Sequence, residues 1–162
     1  MARIQTLDLR VARSRLALVW FPLSGAIFLL LVVQTTFANT YAGQDQAVWG
    51  WALPNFMPTL ALMGSVFAAN ALDARNREKA VVRMFFFRLA FGLSVFYFVV
   101  LFMVLLGPAF AQVITGDAAT VEDRLSVMER SSVFLGPLQS LVVLVIGALF
   151  FLKEEKGGGN AG

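Results

Sequence analysis

Four runs of apolar residues divide this 162-residue chain, each about as long as a bilayer's hydrocarbon layer is thick. They cover residues 16–38, 54–72, 80–106 and 131–152. A helix rises about 1.5 Å per residue and crosses that layer in about 20 residues. A soluble domain carries about 25% charged residues. Here the charged fraction is 14% and the hydrophobic fraction 59%, too apolar for a water-soluble surface in so short a chain. Unpaired backbone groups are expensive in lipid, so apolar runs of this length are expected to cross it as helices. The expected fold is an all-α integral membrane protein, a four-helix bundle forming one domain over residues 1–152. The remaining segment, 153–162, "KEEKGGGNAG", is too glycine-rich to pack.

Prolines and glycines mark the expected boundaries. Pro22 and Gly25 interrupt the first run, which membrane helices tolerate. Arg13 and Arg15 before that run, and Thr36-Phe37-Ala38 at its end, also fit a cleaved secretory signal. Its apolar core, however, is longer than the roughly 7–15 residues of such a signal, so a retained span is expected. Pro54 suits a first helical turn, while Pro58 calls for a kink or a start at Thr59. Gly107-Pro108 reads as a helix stop, and Pro137 lies near the start of the fourth run.

The segment "TGDAATVEDRLSVMERSS" precedes the last run. Thr120 followed by Asp123 has the spacing of a capping box, and Val121, Leu125 and Met128 share one helical face. This predicts a short amphipathic helix over 120–130, lying on the membrane surface or leading straight into the fourth span.

Charge sets the expected orientation. Arg3, Arg10, Arg13 and Arg15 precede the first span, Arg75, Arg77, Lys79 and Arg83 separate the second from the third, and Lys153 and Lys156 follow the fourth. A four-span topology puts these segments on one side. The other side has Arg124 and Arg130 among Asp117, Glu122, Asp123 and Glu129, with Asp45 in the first loop. The positive-inside rule then makes both termini cytoplasmic, in a plasma or inner membrane. Arg88, inside the third apolar run, lies about 7–8 Å of helix rise beyond Arg83. Its guanidinium can snorkel to the headgroups, or it can find a buried partner such as Asn70 at similar depth.

Other residues point to packing rather than chemistry. Trp49 and Trp51 flank a glycine at a membrane boundary, as interfacial belts and partner contacts both do. Gly64 and Ala68 form a small-xxx-small pair, and Gly136, Ser140 and Gly147 share a face of the fourth helix. Such faces let membrane helices approach closely, within a protomer or between protomers. Gln139 is the apolar runs' costliest polar group and needs a partner, unless it lines a polar path in an oligomer. Phenylalanines surround the third span, facing both lipid and core.

The chain contains no histidine and no cysteine. A disulfide is therefore excluded, and soft-metal, haem and iron–sulfur sites lose their usual ligands, so neither a cofactor nor a metal is expected. Asp and Glu lie outside the spans, which leaves intramembrane acid–base catalysis and proton coupling without carriers. No basic stripe with exposed aromatics suggests nucleic acid. The expectation is a non-enzymatic membrane subunit that binds and positions a protein partner, or a homo-oligomer, in the lipid bilayer. The alternative is an oligomeric channel or pore-forming effector.

Overall fold

The computed structural model describes residues 6–72, 81–116 and 119–151. Four long helices dominate: α1 Leu9–Val32, α2 Asp45–Leu72, α3 Met84–Thr115 and α4 Val121–Phe151. All four contain stretches long and apolar enough to cross a membrane. Around the bundle the neighbours run α1, α2, α4, α3, so α2 and α3 face each other across a diagonal. Buried positions recur every three or four residues: Leu9, Ala12, Leu16, Trp20 on α1, and Met128, Ser131, Leu135, Gln139, Val142 on α4. That spacing is the one that lets side chains of slightly tilted helices interlock.

Two short strands add an unforeseen tie. β1 (Thr6–Asp8) pairs antiparallel with β2 (Val81–Arg83), setting Thr6 opposite Arg83 and Asp8 opposite Val81. Each strand leads directly into a helix. Asp8 caps α1 by accepting from the Arg10 N–H at 2.8 Å. The same end receives the last turn of α4, because the Arg13 guanidinium donates to the carbonyls of Phe150 (2.6 Å) and Leu149 (3.4 Å). A cation at a helix C-terminus meets carbonyls that the helix cannot satisfy itself. The guanidinium also lies 5.7 Å from the Phe150 ring centre.

At the opposite end α1 finishes in a π-helical turn, Val33–Phe37. The chain then reverses through Asn39, Ala42 and Gly43, all at positive φ. An alanine at φ 46° is strained by its Cβ. The turn is pinned by Tyr41, whose buried ring sends its hydroxyl to Gln34 Oε1 at 3.0 Å. Burial pushes the Tyr41 phenol up, against the opposing pull of Arg124.

Several boundaries differ from those the prolines suggest. α2 begins at Asp45, so Pro54 and Pro58 both lie well inside it. α3 continues through Gly107-Pro108 and ends only at Gly116, at φ 78°, whose N–H bonds Gln112 O at 2.9 Å. A proline removes one backbone bond and crowds one turn. Inside a bundle, where neighbouring helices satisfy the freed carbonyl, that is cheaper than unwinding a span in lipid. Of the two arrangements expected for residues 120–130, the structure has the one that leads straight into the fourth span rather than a separate surface helix, since α4 runs unbroken from Val121 to Phe151. The Thr120–Asp123 box forms reciprocally: Thr120 N–H donates to Asp123 Oδ2 at 3.0 Å, and Asp123 N–H to Thr120 Oγ1 at 3.2 Å. The 153–162 segment lies outside the described residues.

Candidate functional site

The middle of the bundle is organised around two successive carbonyls of α2, the first of which a proline leaves open. Pro58 has no N–H for the carbonyl of Pro54, four residues earlier. Gln139 of α4 supplies the missing donor, its Nε2 reaching Pro54 O at 2.6 Å. The next carbonyl, Asn55 O, accepts from the Tyr97 hydroxyl of α3 at 2.5 Å, across the bundle diagonal. That hydroxyl also lies 3.2 Å from Asn55 Oδ1, while Asn55 Nδ2 donates to Trp51 O at 2.7 Å.

Two indoles extend the seam. Trp51 donates through Nε1 to Ser131 Oγ at 3.1 Å, and that hydroxyl passes its own hydrogen to Met128 O at 2.6 Å. Trp20 does the same toward Ser94 Oγ (3.0 Å), which donates to Ala90 O (2.7 Å). The Trp20 ring lies 5.8 Å from Tyr97, near-parallel, and 4.6 Å from Phe98. Each bond crosses between helices or ends on a carbonyl, so four helices are joined through neutral donors. Ser24 Oγ and Thr59 Oγ1 are buried with no partner among the described residues. The seam has no ionised side chain. Among the described residues no group of His, Cys, Asp or Glu could hold a metal ion. This constellation ties the four helices together in register.

The residues singled out from the sequence separate into inward and outward sets. Trp51 is buried against α4, and Trp49 is half-buried with its ring 5.2 Å from Phe28. Gln139 faces inward to Pro54, while Gly147 packs inside, where an added Cβ would meet Leu62 Cδ1 at 3.6 Å. Gly64, Ala68, Gly136 and Ser140 are exposed, and a Cβ at either Gly64 or Gly136 would meet nothing within 4 Å. Ala61 and Ser65 extend the α2 side of this surface. Ser65 and Ser140 bond the carbonyls of their own helices, Leu62 O and Gly136 O, so they present little unsatisfied polarity.

Arg88 is exposed on α3, with no side-chain hydrogen bond or ion pair among the described residues. Asn70 lies in the last turn of α2, and its side chain falls outside the described set. On α3 the phenylalanines divide as expected: Phe85 and Phe96 face out, and Phe87 and Phe98 face in.

Sequence reasoning missed Tyr97, Asn55, Ser94, Ser131, Trp20 and Arg13 as contacts. One signal was legible: a proline four residues after a carbonyl predicts that a donor must come from another helix. That signal leads to Pro54 O and its donor Gln139, whereas Asn55 is followed four residues later by Thr59 rather than a proline and gave no such cue toward Tyr97. No protein family, curated protein or solved structure matches this chain.

Proposed function

We propose that this chain is a non-enzymatic integral membrane subunit that binds and positions a protein partner through the outer surfaces of α2 and α4. One observation carries the reading: the small residues Gly64, Ala68, Gly136 and Ser140 face outward and are not used to close the protomer. The outward faces of α1 and α3 expose Leu18, Leu29, Phe85, Phe96 and Met103, and on α2 and α4 the small residues stand among the exposed Phe67, Val133, Phe134 and Leu144. Bulky side chains suit lipid, whereas small ones permit close approach of another helix.

Orientation belongs to the same proposal. The end that joins β1, β2 and the last turn of α4 carries Arg10, Arg13, Arg15, Arg83 and Arg88, so the positive-inside rule assigns it to the cytoplasm of a plasma or inner membrane. From Arg88, about 20 residues of α3 span a 30 Å layer and end at Pro108. Counting back as far from Phe150 on α4 ends at Arg130. The first turns of α4, with Glu122, Asp123 and Glu129, then stand in the opposite interface.

The alternative, an oligomeric channel, has weaker support. Gln139, the polar group best suited to a shared path, is engaged with Pro54. Photo-crosslinkers placed at Gly64 and Gly136 test the proposal against controls at Leu18 and Met103. Adducts with a distinct polypeptide from the first pair alone are expected. Equal labelling from all four positions, or adducts with lipid only, would refute it.

A further inference from the structure

The basic end of the bundle carries more positive charge than its own residues neutralise. Arg10, Arg15, Arg83 and Arg88 are all exposed, and none has an ion pair among the described residues. Asp8, the acid described at this end, is occupied in capping α1. Arg13 differs, since its guanidinium is spent on the α4 carbonyls.

Register fixes the depth of Arg88. The Trp20–Ser94 bond ties α1 to α3. Arg13 precedes Trp20, and Arg88 precedes Ser94, by about the same helix rise, roughly 10 Å. Arg88 is therefore level with Arg13 and with the end of α4, at the boundary of the apolar bundle. Its face of α3 continues inward as Leu89, Gly92, Phe96 and Val99, all exposed. Gly92 opens a notch one turn below Arg88, where a Cβ would meet nothing within 4 Å.

We infer that this surface is a binding site for an anionic phospholipid, with the headgroup phosphate on Arg88 and an acyl chain in the Gly92 notch between Leu89 and Phe96. Arg15, Arg83 and Arg10 supply the surrounding positive field, which disfavours a zwitterionic headgroup because that brings its own ammonium. The opposite end offers no such preference, because Arg124 and Arg130 are interspersed with Glu122, Asp123 and Glu129.

Native mass spectrometry of the full chain, titrated with phosphatidylglycerol or phosphatidylcholine of the same acyl chains, tests the site. Each arginine near a headgroup surface changes anionic-lipid affinity by about fivefold. Arg88→Gln should weaken phosphatidylglycerol binding by about that factor and leave phosphatidylcholine unchanged, while Arg88→Lys keeps the charge and the preference. Gly92→Leu, which fills the notch, should weaken phosphatidylglycerol binding with every arginine intact. Equal affinity for the two lipids, or an equal loss from Arg130→Gln at the other end, would overturn the inference. So would Arg88→Gln or Gly92→Leu variants that bind phosphatidylglycerol like the parent. Full competition by inorganic phosphate would likewise contradict a lipid site, since the notch would then contribute nothing.

Discussion

Replacing Gln139 by leucine removes the donor that Pro54 O receives in place of a backbone N–H. The side chain is of similar size, so the loss is mainly the hydrogen bond. An unpaired carbonyl in hydrocarbon would cost several kcal/mol if nothing relaxed. Cross-helix bonds in membrane proteins average about 0.6 kcal/mol and reach about 1.7. This bond is short and its acceptor has no helical donor, which places it toward the upper end, at about 1–2 kcal/mol. The decisive background is Pro58→Ala, which restores an N–H four residues after Pro54. In that background the carbonyl has its own donor, and Gln139→Leu should become nearly neutral. A double-mutant cycle read by thermal or denaturant unfolding in detergent should therefore give a coupling close to the whole single-mutant cost. Equal penalties with and without Pro58 would refute the idea that proline creates the demand Gln139 meets.

Other substitutions probe the remaining ties. Tyr97→Phe retains the ring against Trp20 but loses the bond to Asn55, for an expected cost of about 1 kcal/mol in the same unfolding assay. Arg13→Gln should release the last turn of α4 at a cost of about 1 kcal/mol. The readout is faster hydrogen exchange near Leu149 and Phe150, with α3 unaffected. Gly136→Leu should leave protomer stability unchanged or slightly raised, because no atom stands within 4 Å of its Cβ, yet change particle size in native membranes. Gly147→Leu, facing Leu62, should instead cost about 1–3 kcal/mol from overpacking.

The spans were legible because lipid makes length and apolarity sufficient conditions for a helix. Their ends were less so. Gly107-Pro108 and Pro54 carry stop and start signals calibrated on helices in water, where an unwound turn finds solvent partners. In this bundle the broken ladder at Pro58 is repaired by Gln139, and α3 simply passes Pro108. Gln139's need for a partner could be read from the sequence, but which carbonyl met it could not. Trp51 looked interfacial because indoles gather there, and it became core once α2 began at Asp45 and turned that face toward Ser131. The small residues were visible as faces. Whether they looked inward depended on helix rotation, which four nearly all-apolar helices do not encode in their hydrophobic periodicity.

If the outward faces of α2 and α4 hold another protein, the composition of the native particle must show it. Detergent-free nanodiscs extracted from the source membrane, followed by native mass measurement, count the copies of this chain and identify what accompanies them. A discrete particle of this chain with a second polypeptide is expected, and it should separate when Gly64 and Gly136 are both replaced by leucine. A ring-sized homo-oligomer without a second polypeptide, conducting ions in a planar bilayer, would contradict the proposed role.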